Sequence, residues 1–119
     1  VKGCCSPLGS ITDGKPWYLC EGWATAATIH AETGAPVAAA MNAGNLLAVG
    51  QRLQRQHPDA VLIVAGDNDR QTEGNPGKTA AIKAAAALGC GLVLPEFPPD
   101  APLALSDFND LRQWREANQ

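Results

Sequence analysis

The sequence predicts an α/β protein, with about four mainly parallel strands in one sheet flanked on both faces by helices. Three observations predict it. Short apolar runs of strand length alternate four times with segments of helical composition, and β–α–β crossovers of this kind force parallel pairing. Residues 60–65, Ala-Val-Leu-Ile-Val-Ala, are apolar at every position, as a strand covered on both sides must be. Alanine occurs 21 times, much of it at 38–40 and 84–87, which favours helices and close small-residue packing. At 119 residues the chain holds one domain, since domains usually run to ~100–150 residues. With 45% apolar and 18% charged residues it is not globally disordered. No apolar stretch approaches the roughly 18–20 residues needed to cross a bilayer, so no membrane partner is expected.

The elements follow in order. Residues 1–16 are punctuated by Gly, Pro and Ser and read as an irregular lead-in, with a short strand or hairpin around Ile11; the domain proper is 17–119. Residues 17–20 form the first strand, and 22–32 a helix stopped by Gly34 and Pro36. Residues 37–41 are short enough for a buried strand. A turn at 42–45 ends on Asn45, an N-cap for a helix that turns Leu46, Val49, Gly50 and Leu53 inward and Arg52, Gln54, Arg55 and Gln56 outward. Pro58-Asp59 ends it. The central strand at 60–65 leads into a polar loop, 66–77, then a helix over 78–88 closed by Gly89. Residues 91–94 are the fourth strand and 95–102 a Pro-rich loop. Ser106 caps a last helix with Phe108, Leu111 and Trp114 on one side.

The net charge of −3 on its own argues against a free-standing DNA or RNA binder, which normally carries a basic excess. Cys4, Cys5, Cys20 and Cys90 include no Cys-x-x-Cys pair, and adjacent thiols chelate tetrahedral zinc poorly. They read as small buried thiols in a reducing cytoplasm. The chain has no starting Met and no basic-then-apolar leader, so a piece of a longer cytoplasmic protein is expected.

In open parallel sheets, functional groups gather outside the carboxyl ends of the strands. Those positions hold Glu21-Gly22, Asn42-Ala43-Gly44-Asn45 and Gly66-Asp67-Asn68-Asp69. Glu21, Asp67 and Asp69 can therefore converge, with Asp67 and Asp69 two apart in an extended segment and pointing the same way. Converging carboxylates repel unless a cation joins them, and hard oxygen donors with room for water suit magnesium shared with substrate phosphates. The chemistry implied is phosphoryl transfer. Taken singly, Glu21 is also explained as a first-turn charge on a helix, and Asp67-Asn68-Asp69 as an Asx-type turn.

These residues carry a family resemblance. Glu-Gly after a first strand, Asp-x-Asp after a third and a four-strand parallel core resemble the Toprim domain, a Rossmann-like fold shared by bacterial-type primases, topoisomerases and several nucleases. Glu21-Gly22-Trp23-Ala24-Thr25-Ala26-Ala27, Asn42-Ala43-Gly44-Asn45-Leu46, Ala65-Gly66-Asp67-Asn68-Asp69, Asn75-x-Gly77 and Ser106-Asp107-Phe108-Asn109-Asp110-Leu111 are similar to motifs of plasmid and phage DNA primases. The resemblance covers about residues 1–115. It implies that Glu21 is metal ligand or general acid–base, that Asp67 and Asp69 are the paired magnesium-binding aspartates, and that Asp107 and Asp110 return to the metal site. It further implies Mg²⁺ (or Mn²⁺) as cofactor, with single-stranded DNA template, ribonucleoside triphosphates and other domains of the same polypeptide as partners. Competing readings are a Toprim-type metal-dependent nuclease and a non-catalytic nucleotide- or nucleic-acid-binding module. Topoisomerase fits less well, because the lone Tyr18 lies within a predicted strand. First-turn capping beside Ser106 explains Asp107 without a metal.

Residues 74–79, Gly-Asn-Pro-Gly-Lys-Thr, mimic a phosphate-binding P-loop, but position 72 is Thr where glycine is required. Lys78 is either a phosphate contact beside the backbone amides of a helix N-terminus or an ordinary exposed lysine. Arg70 is a phosphate contact or a solvent-facing loop residue. Asn42 and Asn45 are candidate nucleotide contacts, though helix capping fully explains Asn45. His30 and His57 read as structural or exposed, and Trp17, Trp23 and Trp114 as packing residues. Set aside the five acids of the expected site and the remaining charge is slightly basic, which makes weak DNA contact permissible.

Overall fold

The computed structural model describes residues 6–8, 16–59 and 61–118. In chain order these form strand β1 (Ser6–Leu8), β2 (Pro16–Cys20), helix α1 (Trp23–Thr33), β3 (Val37–Ala39), a 3-10 turn (Ala43–Asn45), α2 (Leu46–Gln56), β4 (Val61–Ala65), α3 (Pro76–Leu88), β5 (Gly91–Val93) and α4 (Phe108–Ala117). The short strand or hairpin predicted around Ile11 lies outside the described residues, as do Cys4 and Cys5.

The sheet order is β1-β3-β2-β4-β5. The four strands β3, β2, β4 and β5 run parallel to one another, as the strand–helix alternation requires. Strand β1, within the segment read as lead-in, adds an antiparallel edge on β3 with Pro7 opposite Ala38.

Period-2 alternation sorts side chains between the two faces. Trp17, Leu19, Ala38, Ala40 and Leu62 point to one face and meet Leu46, Val49 and Leu53 of α2 and Ala84 of α3. Cys20, Val37, Ala39 and Ala65 point to the other and meet Ala26 and Ile29 of α1, with Phe108 of α4 packed against them. All four inward residues expected of α2 are buried there.

Several boundaries differ from expectation. α3 starts two residues early, at Pro76, because proline suits a first helical position and Asn75 caps it. Asp107, not Ser106, caps α4, since its carboxylate accepts from Asp110 N and the Asp110 carboxylate reaches back. Asn45 does not cap α2 by its side chain; the 3-10 turn leads into the helix, and Asn45 Nδ2 donates to Ala40 O at 3.1 Å. Trp17 is fully buried, but Trp23 is 48% exposed and is not a core residue. His30 is structural, its Nδ1 2.8 Å from Ala35 O where α1 ends. Among the described residues no helix is long and apolar enough to cross a membrane.

Candidate metal centre

Strands β2 and β4 lie side by side with Leu19 opposite Val64. From β2 the chain passes through α1 to β3 on one flank, and from β4 through α3 to β5 on the other. The crevice at their carboxyl ends is thus the point where strand order reverses, the usual ligand site of an open α/β sheet. Glu21 leaves β2 there and Asp67 leaves β4, so the sheet delivers both predicted acids to one place. Beyond the strands, Ala40 N donates to Cys20 O at 2.8 Å and Met41 N to Glu21 O at 2.6 Å. These bonds fix the Glu21 backbone.

The segment after β4 is tied at several points. Gly66 N donates to Val93 O at 2.9 Å and Asn68 N to Ser106 O at 2.7 Å, which brings the start of α4, and with it Asp107, to the acidic loop. Asp69 N donates to Asn75 Oδ1 at 2.6 Å, and Asp69 Oδ2 accepts from Gly77 N at 2.7 Å. Asp107 Oδ1 accepts from Asp110 N at 2.7 Å; Asp110 Oδ2 accepts from Ser106 N at 2.9 Å and from Asp107 N at 3.3 Å. Thr28 Oγ1 donates to Asn109 Oδ1 at 3.1 Å, so α1 also anchors α4.

Electrostatics confirm that these acids share a neighbourhood. Burial, then the charges of Glu21, Asp107, Asp69 and Asp110 in that order, push the Asp67 carboxyl up to about 7. Burial and the charges of Asp67, Glu21 and Asp107 push the Cys20 thiol up to about 12, so it is a neutral neighbour whose Sγ donates to Gly22 O at 3.3 Å. Asp107 is also raised, its burial opposed by the hydrogen bond from Asp110 N.

The donor set fits a divalent cation of a particular kind. Among the described residues no three His, Cys, Asp or Glu side chains are already grouped to enclose an ion. Magnesium does not ask for that, because it keeps most of its waters and takes only one or two carboxylates plus substrate oxygens. Asp67 and Glu21 are two carboxylates at this crevice that take no hydrogen bond among the described residues, and burial and repulsion by the charges of its neighbours raise the Asp67 carboxyl. A cation at this crevice removes that repulsion.

The other predicted site residues are placed differently. The Arg70 guanidinium lies 4.4 Å from the Phe97 ring centre and donates from Nη2 to Pro102 O at 2.8 Å. The Lys78 side chain is exposed. The first-turn amides of α3 serve the protein itself, Gly77 N to Asp69, Lys78 N to Asn75 Oδ1 at 3.4 Å and Thr79 N to Asn75 O at 2.9 Å. Asn42 is exposed and its carbonyl accepts from Asn45 N, while Asn45 is buried. The hydrogen-bonding role of Asn75 escaped the sequence reading, although its place before Pro76 and Gly77 was the available signal.

Residues 17–117 match the protein family described as Toprim domain. Two curated relatives, each named DNA primase TraC, from Escherichia coli, are 46% and 38% identical to this chain over 105 residues. Each alignment covers 82% of this chain, but only 10% of the first relative and 7% of the second. The chain therefore spans a tenth or less of the length of these relatives. No solved structure matches it significantly. With the parallel sheet, the acids at its switch point and a family match over nearly the whole chain, this protein belongs to the Toprim domain family.

Proposed function

We propose that this domain is the catalytic Toprim unit of a plasmid- or phage-type DNA primase, which joins ribonucleotides into a primer on single-stranded DNA by Mg²⁺-dependent nucleotidyl transfer, with Mn²⁺ as substitute. The relatives named as DNA primases support the reaction class. The observation that carries the site is Asp67, half-buried at the switch point, free of hydrogen bonds among the described residues and crowded by Glu21 and Asp107.

In this reading Glu21, Asp67 and Asp69 would hold the cation, Asp69 while its Oδ2 accepts from Gly77 N. Asp107 and Asp110, both occupied in capping α4, border the site and add negative charge. A bound divalent ion supplies charge neutralisation at the phosphates and activation of the attacking hydroxyl. Glu21, whose carboxylate takes no hydrogen bond among the described residues, would hold the ion that activates the primer 3′-hydroxyl. Lys78 is exposed near the start of α3, and its backbone N–H is taken by Asn75 Oδ1, so its side chain is the part available to incoming phosphate. Template, nucleoside triphosphates and partner domains meet at this edge in the complete cytoplasmic protein, and the domain alone is inactive or weakly active.

The test is a titration of the ¹⁵N-labelled domain with Mg²⁺. Amide signals at 21, 67–69 and 107 should move at millimolar metal, and Asp67→Asn should abolish the response. Unchanged spectra sink the reading. In the complete protein, metal-dependent cleavage of single-stranded DNA without nucleotide incorporation replaces primase by nuclease.

A further inference from the structure

The turn that starts α3 does two things at once. Asn75 sits in the left-handed region, with φ +43°, a conformation asparagine tolerates better than most residues. There its side-chain amide acts as a bridge: Oδ1 accepts from Asp69 N at 2.6 Å and from Lys78 N at 3.4 Å, and Nδ2 donates to Asn68 Oδ1 at 2.7 Å. One side chain thus ties both Asn68 and Asp69 to the helix. Two residues on, Gly77 N donates to Asp69 Oδ2 at 2.7 Å. A Cβ at Gly77 would lie 2.7 Å from that same oxygen and 2.8 Å from Asp67 Cβ. Asp69 Oδ2 is the end of a side chain and can swing away. Asp67 Cβ is fixed to the backbone, so the loop itself would have to move. Alanine is otherwise the better helix residue, so the glycine is explained by this approach and not by the helix.

We infer that Asn75 and Gly77 are positioning residues for the metal centre: Asn75 sets the Asp69 backbone, and Gly77 fixes one Asp69 carboxylate oxygen while allowing Asp67 to pack flush on α3. The consequence is a carboxylate with one oxygen committed and the other, Oδ1, presented in one orientation. The inference rests on the metal-binding reading of Asp67 and Asp69 and adds to it the device that aims them. Hydrogen-bonding partners of this kind behind a metal ligand commonly change affinity by roughly 10–100-fold.

The experiment measures Mn²⁺ binding by the electron paramagnetic resonance of free Mn²⁺, together with thermal melting and amide hydrogen exchange at Asp69 and Gly77. Asn75→Gly keeps the backbone conformation accessible and removes only the bridge; it should weaken Mn²⁺ binding about 10-fold or more and speed exchange at Asp69. Gly77→Ala should weaken binding at least as much. Thr79→Ala serves as control, because Thr79 Oγ1 donates to Gly74 O at 2.7 Å in the same turn without touching either aspartate; it should lower melting without changing Mn²⁺ affinity. Wild-type affinity in Asn75→Gly overturns the positioning role even if Gly77→Ala fails to fold, and so does an equal loss in Thr79→Ala. A wild-type domain that binds no Mn²⁺ overturns the metal reading and this inference with it.

Discussion

The segments leaving β2 and β4 bring acids to the same crevice but are built in opposite ways. After β2, Glu21 and the extended Gly22 lead into α1 with no side-chain cap and no acid in the first turn. Among the described residues only the Glu21 backbone is held, through Met41 N. After β4, Asn68, Asp69 and Arg70 are bound to four other parts of the chain: the α3 turn, Pro95, Pro102 and Ser106. The contrast teaches which carboxylates are structural as well as chemical. Asp69, Asp107 and Asp110 accept backbone N–H bonds, so part of their charge is compensated within the fold. Glu21 and Asp67 lack such donors among the described residues.

The sharpest way to break this comparison is Asp67→Asn, with the largest expected effect. It should abolish Mg²⁺ binding while stabilising the metal-free domain near pH 8 by roughly 1–3 kcal/mol. A carboxyl whose pKa is raised from 3.8 to about 7 by folding binds its proton more tightly in the folded chain. Its contribution to stability is therefore present below about pH 4 and lost as the pH climbs through about 7. Melting temperatures across pH 4–8 should fall for the wild type and flatten for the variant; equal slopes would refute the account of Asp67.

Glu21→Gln comes next. Metal affinity should drop about 10-fold or more, with stability unchanged or slightly raised, because no hydrogen bond among the described residues is removed and one charge repelling Asp67 is. A clear loss of stability in calorimetry would show that the β2 side is built like the β4 side. Asp107 separates the two roles on the tied side. Asp107→Ala should cost about 1 kcal/mol through the lost α4 cap, and Asp107→Asn, itself a good cap, much less. Urea unfolding measures the difference, and an Asp107→Asn as unstable as the alanine variant would mean that charge, not capping, matters there. Arg70→Ala should show the smallest effect, about 0.5–1 kcal/mol for the stack on Phe97. Mn²⁺ affinity should stay within about twofold, and a larger loss would restore Arg70 to the site.

How legible was this in the chain? The acids Glu21, Asp67 and Asp69 were readable because each follows an apolar run of strand length, and strand ends are where parallel sheets place function. The inward set of α2 was equally readable, since Leu46, Val49, Gly50 and Leu53 follow a 3.6-residue period. Arg70 was not, because its partners Phe97 and Pro102 are about thirty residues away and nothing local announces them. Trp23 misled, as residue type says how much area a side chain has but not which way the first turn of α1 faces.

The amino-acid sequence by itself determined the alternation of strands and helices, their faces and the acids at their ends, because periodicity and turn chemistry act over a few residues. The tertiary structure alone decided that β2 and β4 are neighbours, that β1 closes the far edge antiparallel, and that Asn68 N draws Ser106 and Asp107 to the acidic loop. It also decided which carboxylates accept backbone hydrogen bonds among the described residues. Strand order and hydrogen-bond partners depend on which distant surfaces bury each other best, and no local pattern encodes that choice.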